Sequence, residues 1–412
     1  VSAREVAYRV VLRVFEDGAY ADRAFRAEAD AARLDERDRA FAMQLAFGAV
    51  QRVRPIDHAI VELGRRPLRK LDPPVRAALR LGAYQLGFAG SVPPHAAVDE
   101  SVELVRRAGL ARAVPFTNAV LRRLSVGLRG VLDALSDRTP EEAALKHSYP
   151  DWVARVWWRD FGREEALALM QAQNEPPETA VRVNSRRAVG ELPGARDPDL
   201  PDALVVERVP PEWLGQGLVW PQSRGSQLAG LAVGSRHGER VLDVCAAPGG
   251  KATQLAGEVT AVELHEGRAR ELEQTVHRLG AANVSVVCAD GLALPEELTG
   301  FDRALVDAPC SGLGTLAGRA DLRWRSRPLP ELQVALLRAA VSRVRPGGTV
   351  TFAVCTLNVD ENEAVVDAIG LPVDDLGAEW PRFRHPRYEQ FLLTAPHRHR
   401  TAGFFIARLR CP

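Results

Sequence analysis

The stretch Val241-Leu242-Asp243-Val244-Cys245-Ala246-Ala247-Pro248-Gly249-Gly250-Lys251 decides the fold of this chain. An apolar run of strand type enters a tight glycine turn, after which a helix is expected. From Glu239 onward strand and helix patterns alternate, the signature of a parallel sheet with crossover helices. Strands are predicted over 240–245, 259–263, 284–288, 303–307 and 349–355, with a terminal pair near 390–394 and 403–409. In open α/β sheets the carboxyl ends of the strands border the ligand crevice. Cys310, in Asp307-Ala308-Pro309-Cys310-Ser311-Gly312, follows one of these strands and Cys355 ends another, so both thiols are expected at one crevice.

Upstream of this α/β region the pattern changes. Residues 1–138 read as all helix, with apolar residues at helical spacing in Val6-Val10-Val14, Phe41-Leu45-Ala49 and Leu79-Leu86. Pro73-Pro74 and Pro93-Pro94 mark helix starts or turns. Residues 139–235 read as a small α+β connecting segment, with an amphipathic helix at Trp152-Val153-Val156-Trp157 and a strand from Thr179 to Asn184. Residues 236–412 form the α/β domain, a Rossmann-like fold with a mostly parallel sheet. The fold class is therefore multidomain.

With 412 residues, 46% hydrophobic and 26% charged, the composition is that of a soluble protein. No apolar stretch approaches the ~20 residues of a membrane span, so no membrane is expected as a partner. The start, Val1-Ser2-Ala3-Arg4-Glu5, lacks a signal-peptide core, and five cysteines without a Cys-x-x-Cys pair argue against a disulfide framework or zinc knuckle. A cytoplasmic monomer with free thiols is expected. The net charge of +1 conceals an asymmetry. Residues 1–140 hold 23 Lys+Arg against 17 Asp+Glu, as a polyanion-binding module would need. A coding bias is the competing explanation, since Lys70, Lys146 and Lys251 are the only lysines and the remaining basic residues are arginine.

The glycine turn lacks Gly-x-Gly-x-x-Gly spacing, which disfavours a dinucleotide. Cys245, Ala246, Ala247, Pro248, Gly249, Gly250 and Lys251 instead make a small turn suited to the amino-acid end of a cofactor. Glu263 closes the next strand, where an acidic side chain can hold ribose hydroxyls, and Asp290 after the third strand can accept from an adenine amine. Together these fit S-adenosyl-L-methionine. Either Asp243 or Asp290 alone could as easily cap a loop.

Two thiols beside such a cofactor suit methylation of a pyrimidine. Carbon 5 of cytosine is a poor nucleophile until a thiolate adds to C6 and breaks the conjugation. The ring then needs a donor at N3 to absorb charge, and Asp307, in its protonated form, is placed to supply it. Cys355 precedes a polar turn opening a helix, whose N-terminus can stabilise a thiolate. Cys245, Cys288 and Cys411 are read as packing residues.

The motifs at 243–251 and 307–312, with Cys355 ahead of Glu361-Asn362-Glu363, resemble the Sun/Fmu family of RNA (cytosine-5) methyltransferases. Ala40-Phe41 to Gly48, Arg80 to Leu86 and Thr117 to Leu124 are similar to the NusB-type helical RNA-binding domain that precedes the catalytic domain in the small-subunit rRNA branch. The resemblance implies that Cys355 is the nucleophile and that Cys310 assists proton removal and release. It also implies that Lys251 and Asp307 line the base pocket, with Glu263, Arg268, Asp290 and Asp307 around the cofactor. Four positions depart from the usual pattern: Val354 and Thr356 flank Cys355 where the family has Thr and Ser, Ser223 stands where Asp is frequent, and Ala402 precedes Gly403 where Asp is usual.

Arg319, Arg323, Trp324, Arg325 and Arg327 crowd the segment after the Pro-Cys loop, and are expected to neutralise phosphates and stack on a base. A solvated loop with one packed Trp is the alternative. His397-Arg398-His399-Arg400 is a second basic cluster, and no metal role is expected for it because a third ligand is not identifiable. The expected function is S-adenosylmethionine-dependent methylation of cytosine C5 in small-subunit rRNA, before full assembly of the particle. A tRNA target, or a non-catalytic RNA-binding assembly factor, are the rival readings.

Overall fold

The computed structural model describes residues 1–90, 92–187 and 190–412, and its chain divides into two compact units. The first comprises Val1–Asn174 with Leu316–Arg325, and the second Glu175–Thr315 with Ser326–Pro412. The three segments expected above are thus drawn differently: 139–235 is shared between the units, and ten residues from deep in the α/β region belong to the first.

The first unit is helical. Its helices Ala3–Glu16, Ala21–Ala32, Glu36–Gln51, Val53–Gly64, Pro73–Gly87, Pro94–Arg107 and Val114–Asp133 enclose one core. The predicted stripes supply it, since Val6, Val10, Leu45, Ala49 and Leu79 are buried and Val14, Phe41 and Leu86 pack against them partly buried. Both proline pairs open helices, where the missing N–H costs nothing. Thr139 and Glu142 form a reciprocal cap on the helix Pro140–His147. The helix Asp151–Ala172 follows, with Trp157 buried edge-on against Tyr149 at 5.1 Å between ring centres.

The second unit holds two sheets. The smaller has β1 (Ala180–Val183), β2 (Ala195–Arg196), β3 (Ala203–Val205) and β4 (Val219–Pro221) in the order β2-β3-β1-β4, all antiparallel. The larger contains β5 (Arg240–Asp243), β6 (Glu258–Glu263), β7 (Val284–Cys288), β8 (Phe301–Asp307), β9 (Val344–Val354), β10 (Leu392–Thr394) and β11 (Phe404–Arg410). Their order is β10-β11-β9-β8-β5-β6-β7. The five strands from β9 to β7 run parallel, and β10 and β11 add an antiparallel edge. The central strands read Val-Leu and Ala-Leu-Val because helices such as Glu266–Leu279 and Pro330–Val341 cover the sheet. The expected helix after the glycine turn is only the short turn Ala252–Gln254.

Register fixes what gathers at the carboxyl edge. Asp307 of β8 lies opposite Ala353 of β9, so Cys310 and Cys355 leave adjacent strands a few residues later on the same side. Asp243 pairs with Leu305 and Ala261, and Glu263 with Cys288. Four carboxylates, Asp307, Asp243, Glu263 and Asp290, thereby follow one another along this edge.

Candidate active site

The two thiols approach to 3.4 Å, sulfur to sulfur, as free cysteines that are both partly buried. A hydrogen bond to Cys355 pushes the Cys310 thiol well above its usual range, burial adds to the shift, and the Glu361 carboxylate reinforces it. Cys310 therefore rests as an S–H group able to donate toward Cys355. Beside them Lys251 Nζ meets Asp307 Oδ2 at 2.6 Å and lies 5.0 Å from the centre of the Phe404 ring. Lys251 and Asp307 thus form a close pair that bridges the glycine turn and the end of β8.

The glycine turn is shaped for close approach. Gly249 has φ +105°, which favours glycine, and a side chain on Gly250 would meet Trp220 Nε1 at 2.7 Å. Asp243 lies beneath the turn, buried, with the Cys245 N–H near its carboxylate but no well-formed hydrogen bond to either oxygen. Burial pushes its acid up to about 7, with the Asp307 charge adding to the shift. An unpaired buried carboxylate costs free energy unless a cationic group arrives. Glu263 is buried and accepts the His265 N–H at 3.0 Å through Oε1, while Oε2 lies 3.5 Å from Arg268. Arg268 also donates to the Ala247 carbonyl at 3.0 Å, stiffening the turn. Asp290 is exposed and accepts the Leu292 N–H at 2.9 Å, so by itself it is a loop cap. These acceptors fit a cofactor bearing an ammonium at one end and ribose hydroxyls further along.

The other three cysteines differ among themselves. Burial pushes the Cys245 thiol far up, as befits a packed thiol, and Cys411 is buried. Cys288 is exposed instead, because β7 is the outer strand of the sheet. Two of the departures from the family pattern, Ser223 and Thr356, make polar contacts. Ser223 caps the helix Arg224–Leu231 by accepting the Ser226 N–H, as an Asp would, and Thr356 presents a hydroxyl 2.7 Å from Ser311 Oγ.

The proposed RNA contacts need the largest revision. Arg323 is fully buried in the first unit. It donates to the Ser148 carbonyl at 2.9 Å, Asn174 Oδ1 at 3.0 Å and the Gln173 carbonyl at 3.3 Å, with its guanidinium 4.3 Å from the centre of the Tyr149 ring. Trp324 packs on the helical core and donates to the Val50 carbonyl at 2.8 Å. Arg325 lies 3.7 Å over the Tyr20 ring, and Arg319 is exposed. Arg323 thus holds the protein's own backbone and has no face for a phosphate, while half-buried Trp324 is anchored through its indole N–H. Arg323→Ala is expected to lower unfolding stability by about 3 kcal/mol, because several buried carbonyls lose their donor. It should leave the salt dependence of RNA binding unchanged; urea unfolding and a salt titration check both.

Sequence comparison is consistent with this architecture. Residues 1–125 match a model of the NusB family, and residues 231–410 match one described as 16S rRNA methyltransferase RsmB/F. A probable ribosomal RNA small subunit methyltransferase B of Synechocystis is 32% identical, over 100% of this chain and 99% of its own length. The chain belongs to the RsmB/F family of rRNA methyltransferases. Within that family the ribosomal RNA small subunit methyltransferase B of Thermus thermophilus is 35% identical over 81% of this chain and 78% of its own. The fold recurs in the crystal structure of PH0851, with a TM-score of 0.82 at 22% identity, covering 100% of this chain and 99% of that one. RsmB/F membership makes the front unit NusB-like and the second unit a methyltransferase. Among the described residues no helix is long and apolar enough to cross a membrane, and no group of His, Cys, Asp and Glu is arranged to hold a metal.

Proposed function

We propose that the chain methylates C5 of a cytosine in small-subunit rRNA through a covalent bond between Cys355 and C6. The observation that carries this reading is the 3.4 Å separation of the Cys310 and Cys355 sulfurs beside the Lys251–Asp307 pair. S-adenosylmethionine, when bound, supplies an electrophilic methyl group. Asp243 would accept from its ammonium, Glu263 from its ribose hydroxyls and Asp290 from its adenine amine, and residues 245–251 would hold its amino-acid end.

The rest is done by the chain's side chains. Cys355 adds as thiolate to C6 of an unstacked cytosine, which puts electron density on C5. The Lys251 ammonium faces the charge that develops at O2 and N3, and Asp307 accepts from the exocyclic amine while keeping that ammonium oriented. After methyl transfer a water molecule takes the C5 proton, the C5–H electron pair forms the C5=C6 double bond, and the C6–S bond breaks with its pair going to the Cys355 sulfur. Cys310, held as a thiol, donates toward the departing Cys355 sulfur and so promotes release. Arg319 and Arg325 remain as surface cations for RNA phosphates, and the NusB-like unit supplies further affinity.

Incubation with labelled S-adenosylmethionine and 16S rRNA, followed by nucleoside mass spectrometry, tests the reading. 5-Methylcytidine is the expected product. Label found only in tRNA, or none at all, overturns it.

The cofactor assignment makes a separate prediction. Asp243 is neutral when protonated, and its folded pKa lies above the unfolded value near 4. Its contribution to stability is therefore complete below about pH 4 and is lost as pH rises to about 7, a change on the order of a few kcal/mol. Asp243→Asn is expected to raise the melting temperature of the cofactor-free protein at pH 8. It should also weaken S-adenosylmethionine binding by about tenfold or more, which calorimetry measures.

A further inference from the structure

Glu361 is buried one turn beyond Cys355, in the short helix Val359–Glu361, and gathers donors from three separate elements. From the Cys310 loop, Ser311 donates its N–H to Oε1 at 2.9 Å and its hydroxyl to Oε2. From the Cys355 side, Asn358 Nδ2 reaches Oε2 at 3.2 Å and Thr356 Oγ1 reaches it at 3.4 Å. From the helix Pro330–Val341 and its approach, Leu329 N–H and Gln333 Nε2 each reach Oε1 at 3.1 Å. Gln333 Nε2 also donates to the Pro309 carbonyl at 2.9 Å, so it braces the residue ahead of Cys310. Ser311 and Thr356, the residues directly after the two cysteines, meet each other at 2.7 Å between hydroxyls and meet on the same carboxylate.

We propose that Glu361 is a positioning residue that holds the two reactive thiols together, by tying the chain after each cysteine to one buried carboxylate. The assignment rests on the reaction proposed above. A carboxylate suits the place because it only accepts, and every group around it can donate. Glutamine has the same shape but carries an amide N–H₂, which would face donors and break part of the network. A shift of about 1 Å in a reacting group is enough to cost roughly 100-fold in rate.

Two readouts test this on the full-length chain. Diamide takes one hydrogen from each of two thiols and becomes a hydrazine, leaving a disulfide; peptide mass spectrometry then measures the Cys310–Cys355 link without any RNA. The wild type should link quickly, and Glu361→Gln at least about tenfold more slowly, since disulfide formation demands a narrow geometry. For methyl transfer, Glu361→Gln should lower kcat about 100-fold while the KM values for cofactor and RNA stay within about threefold. Wild-type linkage with wild-type kcat in Glu361→Gln overturns the inference. If that variant does not fold, Ser311→Ala removes only the Ser311 hydroxyl contacts and should slow linkage about fivefold; unchanged linkage and kcat there overturn it equally. Slowed linkage in a protein whose wild type methylates no RNA supports the clamp and removes the proposed reaction instead.

Discussion

Cys355→Ala abolishes methyl transfer and the covalent RNA adduct together. The sulfur supplies the bond that makes C5 nucleophilic, and Cys310 does not replace it, because burial and the Glu361 carboxylate still raise its thiol once the Cys355 hydrogen bond is gone. A loss of at least about 10⁴-fold in kcat is expected, in line with removal of a covalent nucleophile. Cofactor affinity should be unchanged, because the residues assigned to it lie on β5 to β7 and the loops that follow them. Filter binding of labelled RNA and isothermal titration with S-adenosylmethionine separate the two effects. Residual methylation above about 1% of wild type would assign the nucleophile elsewhere.

Cys310→Ala has the opposite signature. Attack and methyl transfer need only Cys355, but release needs a partner for its departing sulfur, and the nearest is Cys310 at 3.4 Å. The variant is expected to accumulate a protein–RNA species that survives denaturing electrophoresis and carries the transferred label. Steady-state turnover should fall about 100-fold or more while the first turnover proceeds, giving a burst without cycling. A fully active Cys310→Ala enzyme with no trapped adduct would falsify the assigned roles. The Cys310→Ala/Cys355→Ala double variant should trap nothing, which distinguishes the covalent species from tight binding.

Most of the architecture was legible because its causes are local. Alternating strand and helix periods from Glu239, carboxylates at successive strand ends, and proline pairs at helix starts each follow from a few neighbouring residues. The approach of the two thiols was also readable, since parallel strands deliver their carboxyl ends to the same edge. What escaped were features made by distance in the chain. The arginines after the Pro-Cys loop read as a phosphate-binding surface, because charge is usually solvated, yet Arg323 finds carbonyls from residues 148 and 173. Glu361 looked like the acidic start of a helix, and nothing near it in sequence announces that Ser311 and Gln333 converge on it. The direct pairing of Asp307 with Lys251 escaped for the same reason: the two lie 56 residues apart.

The ten residues Leu316–Arg325 make the front unit dependent on a stretch translated much later. A fragment ending near residue 174 would carry every helix of the NusB-like fold yet lack the guanidinium and indole that plug its flank. Such a fragment should be soluble but leaky to amide exchange around Val50, Ser148 and Gln173, and a synthetic peptide spanning 316–325 should restore protection there. Gene-fusion boundaries drawn from homology alone would miss this debt.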